Sequence, residues 1–342
     1  MIKVYNNTKI FVYCPAGTVT GGAELLHQIV SFLRNQGKEA YIIYYGGKSH
    51  EVPSDYNKYN IQITDYVEDR KENIEVFIES QFNWINRYKH TQKLLWWISV
   101  DHFYTCSTHY LKICDLFKYS PRIGIHTFLK RTIQLFKGKN DFKNNISLKD
   151  LSSIDAVSAY QSEYAQNFLQ NNGFREIVAL KDYINVEHTQ NFSTKNKENI
   201  ILYNPKKGIK FTRQLIKLAP DLQWVPIINM SRAEVINNMQ KAKLYIDFGY
   251  HPGKDRLPRE CAANGCCIIT GSRGSAGFFE DVAIENKYKF NEKISSKEDI
   301  IATIRETLDN YDTYIQDFKY YRHIISLEKQ EFEMQISNIF LI

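Results

Sequence analysis

The chain has 342 residues, 43% of them hydrophobic, and its 44 lysines and arginines exceed its 38 acidic residues to give a net charge of +6. That length is too great for one ordinary core and suits two domains of roughly 150 to 180 residues, and no apolar run approaches the roughly 18 residues that a spanning helix needs. The mild basic balance is dispersed and follows no RNP, zinc-finger or basic-region pattern, which excludes nucleic acid as the expected partner.

The N-terminus runs into a strand, Lys9 to Cys14, without the sections of a signal peptide, so a cytoplasmic protein is expected. The following PAGTVTGGAELLHQIVSFLRNQG places Leu25, Ile29, Phe32 and Leu33 at helical spacing. Strand, glycine loop and helix open a nucleotide-type fold. Gly21 and Gly22 either let the backbone approach a ligand or serve packing alone, and the loop is not the G-x-G-x-x-G of a dehydrogenase. Further strands are expected at Glu39 to Tyr45 and at Ile74 to Ser80. Leu94 to Val100 is apolar on both faces and belongs in mid-sheet. Asp101 and His102 emerge at its carboxyl end, where active groups of open parallel sheets cluster. The pair reads either as acceptor-side catalytic groups or as a turn cap beside a partly buried histidine. In residues 127–145 basic side chains alternate with apolar ones, as on a helix lying on an anionic leaflet or on a solvated face over a core.

A strand near Ala156 and a helix with Tyr164, Phe168 and Leu169 on one side complete the first half, and the polar run from Val186 is the expected linker. The second half opens with a strand to Tyr203, the loop NPKKG and a helix carrying Phe211, Leu215 and Leu218. Lys206 and Lys207 thus sit at a strand's carboxyl end beside a helix N-terminus, a place that favours anions. Ser231 and Glu234 stand in capping-box register. Leu244 to Asp281 then reads strand, helix, strand: LYIDF, RLPRECAAN and CCIIT. The helix amides and the charges of Arg256 and Arg259 suit a diphosphate, and Glu260 one turn in suits the hydroxyls of a ribose. The loop Gly271 to Gly277, with Gly274 and Ser275, is able to wrap a phosphate or sugar and also reads as a plain loop. Six cysteines lack C-x-x-C pairing or histidines at ligand spacing, so buried reduced thiols are expected.

The segment E-C-A-A-N-G-C-C-I-I-T resembles the donor half of GT-B glycosyltransferases, most of all the retaining family 4 group, with Glu260 as the matching acid. Gly21-Gly22-Ala23-Glu24 is similar to that group's GG-x-E loop, and the NPKKG lysines match its diphosphate-gripping region. Pro252 stands where family 4 has a second glutamate. HPGKDRLPRE, WWISVDH, QSEYA and DYIN resemble a divergent bacterial polysaccharide glycosyltransferase branch.

The resemblance implies an α/β GT-B fold, two Rossmann-like domains facing across a cleft. These would be an acceptor-side domain at 1–185, a linker at 186–198, a nucleotide-sugar domain at 199–320 and a C-terminal helix, 321–342, returning to the first domain. It implies transfer of a sugar from a nucleotide sugar to a hydroxyl of a bacterial surface glycan, free or lipid-linked, with peripheral contact at the inner membrane face through 127–145. Asp101 and His102 would be catalytic, and Gly21, Gly22, Lys206, Lys207, Arg256, Glu260, Gly274 and Ser275 would bind the donor. No metal or other cofactor is implied, because cations and helix N-termini stabilise a leaving diphosphate and no D-x-D pair is present. The alternatives are a non-catalytic binding subunit of a glycan-assembly complex, or a nucleotide-sugar epimerase of the same fold.

Overall fold

The computed structural model describes residues 1–47, 50–138, 145–185 and 192–340, so parts of the expected linker (186–191) and of the basic segment (139–144) lie outside the described residues. The chain divides into two compact units. One comprises Met1–Gln161, Ala165–Lys181 and Phe332–Ile342, the other Ser162–Tyr164 and Asp182–Glu331.

In the first unit, β1 (Lys9–Pro15), β2 (Glu39–Tyr45), β3 (Ile74–Ile78), β4 (Gln92–Trp97), β5 (Val157–Tyr160) and β6 (Ile177–Ala179) form one parallel sheet, ordered β2-β1-β3-β4-β5-β6. Strands covered on both faces are apolar throughout. Leu94, Leu95, Trp96 and Trp97 of β4 are accordingly buried, and the Trp96 indole donates to the Leu180 carbonyl at 2.8 Å. Helix Gly21–Asn35 begins where the Thr20 hydroxyl accepts from the Ala23 amide and packs Leu25, Leu26, Ile29, Val30 and Leu33 inward.

The second unit's sheet contains β7 (Glu198–Tyr203), β8 (Gln223–Pro226), β9 (Ala242–Asp247), β10 (Cys267–Gly271) and β11 (Lys289–Phe290) in the parallel order β11-β10-β9-β7-β8. Helix Arg256–Ala263 joins β9 to β10 as the sequence predicts, and Ser231 and Glu234 form the reciprocal capping box. In both sheets the second strand lies on one side of the first and the third on the other. The winding therefore reverses between β1 and β3 and between β7 and β9. Loops leaving two strands at such a reversal diverge and open a crevice outside their carboxyl ends, which is where ligands of open α/β sheets bind.

One expectation is corrected. Cys14, Cys261, Cys266 and Cys267 are buried free thiols, but Cys106 and Cys114 are exposed, because they lie in short helical turns at the surface.

Candidate active site

At the reversal of the second sheet, the loop after β7 packs directly on the loop after β9. Gly208 has φ +60°, and a Cβ there would lie 2.5 Å from the Phe248 carbonyl carbon; a Cβ on Gly249 would lie 2.4 Å from that of Lys207. Only glycine permits this approach. It sets Lys207 against the start of helix Arg256–Ala263, where its ammonium donates to Asp255 Oδ2 at 2.6 Å, while Lys206 is exposed.

Beneath this pair lies a chain of polar groups. Asp247, the last residue of β9, accepts from the Tyr245 hydroxyl at 2.9 Å and from the Gly249 amide at 2.8 Å. Fully buried His251 places Nε2 3.7 Å from Asp247 Oδ1 and Nδ1 3.1 Å from Asp255 Oδ2. Asp247, His251 and Asp255 are the described side chains grouped closely enough to hold a metal ion. The two carboxylates face opposite ring nitrogens, and the Lys207 ammonium already supplies positive charge to Asp255.

The loop after β10 closes over the same histidine. Gly274 has φ +65°, and a Cβ there would come within 2.0 Å of the His251 carbonyl oxygen. The Ser275 amide donates to that oxygen at 2.9 Å, and its buried hydroxyl donates to the Gly253 carbonyl at 2.6 Å. Ser275 thus braces the β9 loop from within.

Helix Arg256–Ala263 divides its charges between two faces. Arg256 and Glu260 are partly exposed, and Arg256 Nε lies 3.7 Å from Asp182 Oδ2. Arg259, read from sequence as a second cation for the ligand, is fully buried. It donates to both Asp182 oxygens (2.8 and 2.9 Å), to Glu328 Oε2 (2.8 Å) and to the Lys254 carbonyl (2.8 Å), and Lys254 Nζ lies 2.8 Å from Glu328 Oε1. Burial pushes the Asp182 carboxyl up, but Arg259, Arg256 and Lys254 outweigh it and hold the group below the usual range. Arg259 therefore holds the loops together and offers no charge to a ligand. Its place three residues after Arg256, with Asp182 and Glu328 far away in sequence, hid this role.

In the first unit, Gly21 and Gly22 begin the helix after β1, beside the reversal point. A Cβ on Gly22 would meet nothing within 4 Å, so packing does not require glycine there. Glu24 turns aside to accept from the Tyr59 hydroxyl at 2.9 Å. Asp101 and His102 lie in helix Val100–Thr105 after β4, the aspartate buried and the histidine exposed. A residue the sequence reading passed over, Glu79, follows β3 and is 2% exposed. Its Oε1 accepts from the Ser99 amide at 2.5 Å, and burial pushes its carboxyl up to about 8.

No family model matches the sequence, and no protein of described function does either. The fold, in contrast, has solved counterparts. The chain superposes on sucrose-phosphate synthase from Thermosynechococcus elongatus with a TM-score of 0.65 over 97% of this chain and 98% of that one, at 10% identity. It superposes on the lipopolysaccharide outer core galactosyltransferase WaaB at 0.62 over 98% and 99%, at 9% identity. Anabaena HepE in complex with UDP and glucose matches at 0.60 over 96% and 98%, also at 9% identity. These are glycosyltransferases of the GT-B class, and the fold of this chain is GT-B.

Proposed function

We propose that the chain is a glycosyltransferase that moves a sugar from a nucleotide-sugar donor to a hydroxyl of a bacterial surface glycan. One observation carries the reading: at the β7/β9 reversal of a GT-B fold, Lys207 is fixed against the N-terminus of helix Arg256–Ala263, so a lysine, an arginine and helix amides share one place suited to an anion. The solved complex of HepE with UDP-glucose supports a nucleotide sugar as the donor class. The diphosphate would lie between Lys207 and Arg256, the ribose hydroxyls at Glu260, and the loop at Gly274 would border the sugar. Gly21 and Gly22 would be further donor-binding residues, and Asp101 or His102 would take the acceptor's proton. Positive side chains would stabilise the leaving diphosphate in the place of a metal ion.

The Glu260 assignment has a direct test. Glu260→Gln should weaken binding of the preferred nucleoside diphosphate by about 1 to 3 kcal/mol, the worth of a charged hydrogen bond. Unchanged affinity by calorimetry would remove the ribose from this residue.

We further propose that helix Pro121–Phe136 rests on an anionic membrane leaflet when the acceptor is lipid-linked. Ile125, Phe128, Leu129, Ile133 and Phe136 recur at helical spacing and are all exposed, and Arg122, Lys130 and Lys137 flank them. Arg131 belongs to the other face, where it is buried and donates to the Leu111 carbonyl at 2.6 Å. Co-sedimentation with vesicles containing anionic lipid should be lost in a Phe128→Glu, Leu129→Glu double variant. Equal sedimentation of both proteins would contradict the contact.

A further inference from the structure

Helix Val100–Thr105 is only six residues long, and its N-cap residue, Ser99, makes no side-chain cap. A helix this short has no stability of its own, and its first amides need acceptors from elsewhere. Glu79, from the end of the adjacent strand, ties down the residues that flank the helix. Its carboxyl oxygen takes the Ser99 amide at 2.5 Å. Its backbone carbonyl takes the Ser107 hydroxyl at 3.0 Å and also the Tyr110 hydroxyl, two residues and five residues beyond the helix's last residue. One residue at the end of β3 therefore ties down both ends of the helix that follows β4. Within that helix the chain is stiffened further, since the Thr105 hydroxyl donates to the Asp101 carbonyl at 2.9 Å.

We propose that Glu79 is a positioning residue for sugar transfer, fixing the six-residue helix that carries Asp101 and His102. Glu79 is itself buried and so acts through that helix. The inference rests on the assignment of this pair to the acceptor side. A general base must stand within hydrogen-bond reach of the proton it takes, and small displacements of such a group are costly in rate. The neutral carboxyl that burial favours has glutamine as its near isostere, whereas aspartate is one methylene too short to reach Ser99.

The test compares Glu79→Gln and Glu79→Asp, using whichever of the UDP-, GDP-, dTDP- and CMP-sugars is hydrolysed fastest by the unaltered protein. The first reading is amide hydrogen exchange over residues 98–106, which needs no activity. Glu79→Asp should speed exchange there about tenfold or more, and Glu79→Gln should leave it within about threefold, on the scale of one lost cap against one kept. The second is turnover with an acceptor: Glu79→Asp should lower kcat by about 30-fold with nucleotide affinity unchanged, and Glu79→Gln should restore it. Should Glu79→Asp fail to fold, Glu79→Gln must still show wild-type exchange and turnover, and a loss in either overturns the proposal. Wild-type exchange in Glu79→Asp overturns the clamp itself. If Asp101→Asn and His102→Ala both turn over at the wild-type rate while the exchange result holds, the clamp stands and the assignment of the catalytic pair is what fails.

Discussion

Arg259→Met is expected to destabilise the second unit by about 3 to 5 kcal/mol, the cost of removing one member of a buried ion pair. The guanidinium serves two acidic residues, Asp182 and Glu328, that are each 2% exposed. Without it, Lys254 still faces Glu328, but Asp182 loses its bidentate partner and is left with the charges of Arg256, at 3.7 Å, and Lys254. An isolated buried carboxylate is so unfavourable that it takes up a proton or draws in water, and either event unseats the β9 loop. The quadruple variant Lys254→Met, Arg259→Met, Asp182→Leu, Glu328→Leu should recover most of the loss, because a buried network replaced as a whole is often nearly neutral. Urea unfolding of the three proteins measures both effects. A loss below about 1 kcal/mol in the single variant would show that the network carries little of the stability.

The second large effect is on turnover. Lys207→Ala and Arg256→Ala are each expected to lower kcat by roughly 100-fold or more, with a smaller change in nucleoside affinity. As the sugar bond breaks, the leaving nucleotide gains negative charge, and cations aimed at that charge stabilise the transition state more than the bound donor. Both cations are held before any ligand arrives: Lys207 by Asp255 at 2.6 Å, Arg256 beside Asp182 at 3.7 Å. Lys206 is exposed, and Lys206→Ala should do less. If the Lys207 and Arg256 variants lose nucleoside binding as much as turnover, or lose neither, the diphosphate lies elsewhere.

The fold was legible because parallel strands and their helices leave strong local signals. Runs such as LLWW and CIIT have no polar face, and the spacing in GGAELLHQIVSFLRN and RLPRECAA fixes which side of each helix is buried. The placement of the two candidate donor loops was legible for the same reason, since NPKKG and HPGKDRLPRE each follow a strand and open a helix. Long-range partners were not. Neighbouring positions on one helix, Arg256 and Arg259, look alike in sequence, yet Asp182 and Glu328 draw the second into the interior. Glu79 gave no signal because its partner is a backbone amide twenty residues away. Glu75 is a similar case: it is fully buried within β3, accepts from the Tyr13 hydroxyl at 2.6 Å and pairs with Lys93 of β4. His251 reads in sequence as one polar residue of a loop, and only the fold places a carboxylate at each ring nitrogen.

The most direct test of sugar transfer is incubation with UDP-, GDP-, dTDP- and CMP-sugars, with nucleotide and sugar products followed by chromatography and mass spectrometry. The expected result is slow release of free sugar and free nucleotide from one donor class, water standing in for the acceptor, with release falling about 100-fold in Lys207→Ala. Conversion of a nucleotide sugar to its epimer without release would instead make the chain an epimerase of the same fold. Binding of a nucleotide with no turnover, even with glycan acceptors present, would make it a binding subunit and contradict the assignment.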